Sequence, residues 1–336
     1  MTVAGLGEHA LLARILARLP RQSASVLVGP GDDAAVLAPG RNERLVVTTD
    51  AVVEGVHFSR AYSSPADIGH KALAVNLSDL AAMAATPRWA LVSLVLPGSW
   101  LVADVEDLMD GLSALARRHG VSVAGGNVTR TDGPFVIDVT AGGEAGPRRW
   151  LTRSGARAGH EIYVSGSIGG AAAGLEMLAA GPGARNMEAG TGCVARHRRP
   201  EPRVRLGVAI GRARCATAGI DLSDGLGDAL RQVSRASGVG VRIDGDALPI
   251  DSCAREWWMN RAIDPVIAAV RGGDDYELLF AVPPKSGGAM RSVRRHVSDP
   301  PLTKIGVFTK DRLELVIERA GKQEALPEGF EHFAHR

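Results

Sequence analysis

Four acidic clusters, each set in an apolar or glycine-rich frame, constrain this chain more than any other feature. GDDAAVL (Gly31 to Leu37) is followed closely by TTDAVVEGVHF (Thr48 to Phe58), which places Asp32, Asp33, Asp50 and Glu54 in one short region. NLSDLAAM (Asn76 to Met83), DLSDGLGD (Asp221 to Asp228) and GGDDYELLF (Gly272 to Phe280) repeat the pattern. Carboxylates in apolar surroundings are unfavourable unless a positive charge sits among them. The clusters are therefore expected to meet in space and hold divalent metal ions. The bland alternative is that each acid caps a helix or closes an Asx turn. Asp221, Ser223 and Asp224 flank a helix start, so capping accounts for one of them, but it accounts poorly for four clusters of one kind.

The ligand type points to a hard cation. Mg²⁺ takes oxygen ligands and is held by a few carboxylates together with substrate phosphates. No His/Cys set has zinc spacing. The three cysteines, Cys193, Cys215 and Cys253, form no CxxC pair, and their odd number argues against a disulfide framework. They read as buried or incidental thiols. There is no GxxxxGK[ST] loop, and none of the five lysines follows a suitable glycine-rich stretch. SGSIGGAAAGL (165–175) is not GxGxxG, so its glycines read as close helix packing. Phosphate neutralisation would then fall to metals and arginines.

At 336 residues the chain has the length of two domains, and 45% hydrophobic content is enough to fill their cores. A formal net charge of +2, with no aromatic-basic interleaving, gives no nucleic-acid surface. No run of ~18 apolar residues is free of charge, so no membrane span is expected. The amphipathic start MTVAGLGEHALLARILARL lacks the layout of a secretory leader. A soluble cytoplasmic protein is the expectation.

The periodicity predicts helices over 5–19, from Ser64-Pro65 to about Ala84, and over 103–120 with Gly120 as its stop. On the second of these, Asn76 and Asp79 share a face. Strands are predicted at 26–29, 44–50, 89–97 and 135–145, and at 121–127 entering a Gly-Gly turn. A boundary near Gly146-Pro147 divides the chain into 1–146 and 147–336. The second part reads as a strand at EIYVSG and a helix over 170–180. A glycine-rich mobile loop over 181–192 and a helix from Pro202 to about Arg214 follow. The remainder reads as a strand ending on Asp221, a helix stopped by Gly238, and strands at VGVRID, TKIGVFT and LELVIE.

GDDAAVL, TTDAVVEGVHF, KALAVNLSDLAAM, LTRSGARAG, RRPEPRVRLG, IDLSDGL, GGDDYELLF and the terminal GFEHF together resemble the thiamine-monophosphate kinase family. They occur in that family's order from about residue 5 to 333. The resemblance implies an α/β architecture of mixed sheets, the two-domain aminoimidazole ribonucleotide synthetase-like fold. It also implies a homodimer whose N-terminal domains form a barrel across the dimer, with the C-terminal domain completing the ATP and substrate site. The implied reaction is direct in-line transfer of the ATP γ-phosphoryl group to thiamine monophosphate, giving thiamine diphosphate, with several Mg²⁺ ions assisting. No general base is required, because the accepting phosphate oxygen is already ionised.

Matched position by position, the resemblance implies metal ligands at Asp33, Thr48, Thr49, Asp50, Asp79, Asn127, Asp221 and Asp224. It implies ATP contacts at Gly126, Asn127, Arg153 and Ser223, and substrate contacts at His57, Asp274 and Phe330. The chain departs from the pattern at Asn127 and Val128, where the family has Asp and Thr, and at Asp274, where it has Glu. Gly170 and His160 stand where Asp is common. Asn127 still offers a carbonyl oxygen but carries no negative charge. The alternatives are an ATP-dependent enzyme of the same superfamily with another acceptor, or a nucleotide-binding protein whose catalysis Asn127 has weakened. No cysteine precedes Cys193 and the chain ends EHFAHR, which argues against the two superfamily members that need an N-terminal or a C-terminal cysteine.

Overall fold

The computed structural model describes residues 1–6, 8–28, 36–181 and 190–329. Asp32, Asp33 and Phe330, and most of the glycine-rich 181–192 segment, therefore lie outside the described residues. The chain divides into two compact units, Met1–Leu80 with Ala85–Arg148, and Ala81–Ala84 with Arg149–Arg336.

The first half carries α1 (Val3–Leu6), α2 (Glu8–Leu16), β1 (Val26–Val28), β2 (Val36–Leu37) and β3 (Arg44–Val53). It continues through α3 (Pro65–Ala82), β4 (Thr86–Pro97), α4 (Val102–His119), β5 (Ser122–Thr131) and β6 (Val136–Ala145). Its main sheet has the order β3-β6-β4-β5. β4 and β5 run parallel, and the other pairs antiparallel. Parallel neighbours need a long crossover, and α4 supplies it.

α3 begins where its sequence dictates. Ser64 Oγ accepts the Asp67 amide and Asp67 Oδ2 accepts the Ser64 amide, each at 3.2 Å, a reciprocal cap with Pro65 at the first position. α4 buries Val102, Val105, Leu108, Met109, Leu112 and Leu115 on one stripe, and Gly120 closes it at φ 67°. The two helices touch through glycine. A Cβ on Gly69 would stand 1.9 Å from the Leu108 carbonyl oxygen, and one on Gly111 would stand 2.1 Å from that of Ala66. Gly111→Ala is therefore expected to push the helices apart and lower the unfolding free energy by about 1–3 kcal/mol, measured by urea titration. An unchanged midpoint would show that the contact is slack.

One expectation needs correcting. Gly125-Gly126 is not a turn. β5 runs straight through it, with a bulge against Ala90/Leu91. Gly126 is required because a Cβ there would lie 2.0 Å from the Val92 carbonyl oxygen. The predicted helix over 5–19 is seen in α1 and α2, with Gly7 between them outside the described residues.

The second unit holds β7 (Glu161–Ser165), α5 (Gly170–Ala179), α6 (Gly190–Arg198), α7 (Val204–Ala213), β8 (Ala218–Asp221), α8 (Leu226–Ser237) and β9 (Gly240–Asp244). α9 (Ser252–Met259), α10 (Pro265–Arg271), β10 (Leu278–Val282), α11 (Gly287–His296), β11 (Leu302–Thr309), β12 (Leu315–Arg319) and β13 (Lys322–Ala325) complete it. Its seven-stranded sheet runs β13-β12-β9-β11-β7-β10-β8, with only β12/β9 parallel. β8 and β10 are buried at every residue, Asp221 at the end of β8 included, and β10 (LLFAV) is continuously apolar, as a strand covered on both faces should be. Among the described residues no helix is long and apolar enough to cross a membrane.

Candidate active site

In the first unit, the strand alternation of β3 sorts the predicted residues into two sets. Side chains at successive positions point to opposite faces. Thr48, Asp50 and Val52 share the face of Ala141, Val139 and Ile137, which are fully buried partners on β6. Thr48 Oγ1 donates to Asp79 Oδ2 of α3 at 2.5 Å, so two predicted metal ligands meet there. Thr49 lies on the other face, 3.0 Å from Thr140 Oγ1 and 3.4 Å from Asp138 Oδ1. Asn127 belongs to that outer face too. It is in register with Ser93, which is in register with Asp138. Thr49 and Asn127 are thus on one face but at opposite edges of the sheet.

His57 sits in the turn after β3, which Gly55 opens with φ 83°. Its Nδ1 accepts the Val53 amide at 3.0 Å, which puts the ring proton of the neutral imidazole on Nε2. The Lys71 ammonium donates to the His57 carbonyl at 3.2 Å.

The second unit brings Asp221, Ser223, Asp224 and Asp274 together. The β8/β10 pairing continues into two loops, with Leu222 N–H to Glu277 O at 2.8 Å, Tyr276 N–H to Leu222 O at 3.1 Å and Asp274 N–H to Ser223 O at 2.7 Å. Ser223 Oγ donates to Asp221 Oδ1 at 3.3 Å. Capping does not explain these acids, because the N-cap of α8 is Gly225 and no side chain caps it. Asp274 and Tyr276 both adopt positive φ, 67° and 50°. For a bulky tyrosine that is a strained conformation of the sort found at functional sites. The Tyr276 hydroxyl donates to Asp274 Oδ1 at 3.1 Å, and His197 Nδ1 lies 3.4 Å from Asp274 Oδ2. Arg153 is exposed, and its carbonyl accepts the Ser237 hydroxyl at 3.2 Å.

Behind Asp274 lies a network of buried charge that the sequence reading did not single out. Glu277, fully buried, accepts Ser165 Oγ at 2.6 Å and Arg203 Nε at 2.8 Å, with a second, shorter bond from Arg203 Nη2 and Arg196 Nη2 at 3.3 Å. Asp275 accepts the amides of Gly169 at 2.5 Å and Ala171 at 3.1 Å, tying down the start of α5. Arg196 crosses between them and donates to the Ser167 carbonyl at 2.6 Å. A signal was available. Glu277 directly precedes the wholly apolar LLFAV, where an acid survives only with a cation. Gly170 makes room here, since a Cβ at that position would stand 2.6 Å from Arg196 Cδ.

Burial pushes the Asp275 carboxyl up to about 7, against the opposing pull of Arg196 and the two amides. Between its usual value of 3.8 and about 7 the folded chain holds a proton that the unfolded chain has released. This group's contribution to stability therefore falls as pH rises across that window and is flat above it. Asp275→Asn is expected to remove that slope from urea titrations run between about pH 5 and pH 8. An unaltered slope would assign it elsewhere.

The donor sets Thr48/Asp79 and Asp221/Ser223 consist of oxygen atoms, which suits a hard cation such as Mg²⁺. Within each unit, no three of the predicted carboxylates converge at ligand distance among the described residues. The one group of three possible ligands there is Cys193, Asp251 and Cys253, whose ligand atoms lie within 4.8 Å of one another. Cys193 and Cys253 are joined as a disulfide, with Cα atoms 6.3 Å apart. This corrects the expectation of three unpaired thiols. Only Cys215 is free, buried, with its thiol pushed up by burial to about 11.

Residues 31–145 match the family model described as AIR synthase related protein, N-terminal domain. Over 335 residues the chain is 38% identical to the thiamine-monophosphate kinase of Escherichia coli (strain K12), covering 98% of each. The chain belongs to the thiamine-monophosphate kinase family. The crystal structure of the family member from Stenotrophomonas maltophilia K279a superposes with a TM-score of 0.79 at 38% identity, over 94% of this chain and 96% of that one. A structure of AaThiL complexed with AMPPCP and TMP gives 0.77 at 31% identity over 99% of each. Both of this kinase-family chain's units thus share the mixed α/β, aminoimidazole ribonucleotide synthetase-like fold.

Proposed function

We propose that this chain transfers the γ-phosphoryl group of ATP to thiamine monophosphate, forming thiamine diphosphate and ADP in the cytoplasm. The observation that carries this reading is 38% identity along 98% of both chains to a thiamine-monophosphate kinase. A 31% identical relative solved with an ATP analogue and TMP supports the same pair of substrates. Asp33, Thr48, Thr49, Asp50, Asp79, Asn127, Asp221 and Asp224 are the proposed metal ligands. Gly126, Asn127, Arg153 and Ser223 would contact ATP, and His57, Asp274 and Phe330 the thiamine phosphate. Bound Mg²⁺ would screen the repulsion between two anionic phosphates and the charge that builds up during transfer. The His57 Nε2–H is of the right type to donate to phosphate. Arg153 supplies a fixed positive charge.

A homodimer belongs to the same proposal. Three strand steps separate β3 from β5, roughly 14 Å at ~4.8 Å per step. Thr49 and Asn127 therefore cannot bind one ion within a single sheet, whereas edge pairing with a second copy would shorten that gap. Leu45 and Val47 on the outer face of β3 are 54% and 56% exposed, apolar surface suited to such a partner. A monomer in sedimentation equilibrium would remove this part of the reading.

ADP release that requires both thiamine monophosphate and Mg²⁺ is the decisive assay. No turnover at saturating concentrations of each would overturn the proposal. Asn127→Asp adds the missing charge and is expected to raise Mn²⁺ affinity by roughly tenfold in titrations of the protein. Unchanged affinity would remove residue 127 from the ligand set. A large gain in turnover would mark the natural site as a weakened one.

A further inference from the structure

The two paired cysteines come from α6 and α9, sixty residues apart in sequence. Their Cα separation of 6.3 Å falls within the 4.4–6.8 Å range usual for disulfides. Cys193 is fully buried and Cys253 is 9% exposed, so an incoming reagent meets Cys253 first. Cys253 occupies the second position of α9, and its amide donates to the N-cap carboxylate of Asp251 at 3.0 Å. Cys193 Sγ lies 3.7 Å from the same Asp251 oxygen, a bond in which the reduced thiol is the donor.

What the pair holds is α6. Arg196 lies three residues beyond Cys193 and so projects from the same side of the helix. It binds the Ser167 carbonyl and the buried acids Asp275 and Glu277, while His197 next to it lies against Asp274. α6 also packs closely on α5, where a Cβ on Gly174 would stand 2.2 Å from the Cys193 carbonyl oxygen. A covalent bond from Cys193 to α9 therefore fixes the helix that positions Arg196 and His197.

We propose that Cys193–Cys253 is a reversible thiol–disulfide switch that clamps α6 onto α9, with low-molecular-weight disulfides as its oxidants. The Cys253 thiolate attacks one sulfur of the small disulfide and expels one thiolate. The Cys193 thiolate then attacks the Cys253 sulfur of the mixed disulfide and expels the second. Two protein thiols are oxidised and one small disulfide is reduced. The two protons lost by the protein end on the two small thiols released. A reversible pair of this kind is the form in which disulfides usually occur in reducing compartments. The switch does not depend on which substrate the enzyme takes.

The test is to equilibrate the full chain in buffers of reduced and oxidised glutathione, quench in acid, unfold, alkylate and weigh. Reduced protein is expected to carry three alkyl groups and oxidised protein one, on Cys215. Amide exchange across α6 should be about tenfold slower in the oxidised form. Cys253→Ser should abolish both differences. Three alkyl groups in every buffer would overturn the proposal, as would α6 exchange that ignores redox state. Purified protein holding one Zn²⁺ per chain, released when Cys253 is replaced, would overturn it in favour of a metal site built on Cys193, Asp251 and Cys253.

Discussion

Glu277→Ala is expected to lower the unfolding free energy by about 3–5 kcal/mol. The carboxylate has no exposed surface, and Arg203, Arg196 and Ser165 all point hydrogen-bond donors at it. Burial works against the charge on the Arg203 guanidinium, and the hydrogen bond and charge of Glu277 outweigh that effect, so Arg203 holds its proton more firmly than usual. Removing Glu277 takes the bidentate partner from the part-buried Arg203 and leaves Arg196 with Asp275 as its remaining acid. Glu277→Gln keeps the shape and an acceptor, and should lose less. Replacing the pair together, with Glu277→Leu and Arg203→Met, should recover much of the loss, because the penalty comes from the orphaned charge. Urea titration of the three variants checks this. Equal loss in all of them would mean that packing, rather than charge, sets the stability of this region.

Asp79→Asn is expected to cut kcat by about 10²–10³-fold while leaving the fold intact. Asparagine preserves the volume on α3 and can still accept the Thr48 hydroxyl, so the helix should stay where it is. What is lost is one negative charge in a proposed metal site. Mn²⁺ affinity should fall along with kcat, and the circular dichroism spectrum should not change. Normal turnover in this variant would show that the Thr48–Asp79 pair is structural, and the assignment would move to other oxygens.

Much of the fold was legible in the sequence because local chemistry and global structure agree. Ser64-Pro65 opens α3, Gly120 ends α4 and Gly238 ends α8, each by the mechanism its residue type carries. Gly125-Gly126 misled because glycine has two uses, turning a chain or letting another backbone come close. Only the position of β4 decides between them. The disulfide was hidden for a similar reason: pairing across sixty residues is a matter of tertiary geometry, and an odd cysteine count points the other way. The acidic motif GGDDYELLF contains Glu277, but gave a role only to Asp274. The partners of Glu277, Arg196 and Arg203, lie more than seventy residues upstream, and arginine is too common in this chain to stand out.

The alternation of β3 has a consequence for how such a chain can drift. Thr49, Asp138, Ser93 and Asn127 occupy neighbouring positions along the sheet's outer face, apart from the buried positions that pack beneath it. Exchanges among them alter the charge displayed on that face without disturbing a core side chain. Asn127 and the Asp138 carboxylate stand two strands apart in one cross-strand row. A single substitution at any of these positions changes the charge of that face, while Val52, Ile137 and Val139 on the other face keep their packing.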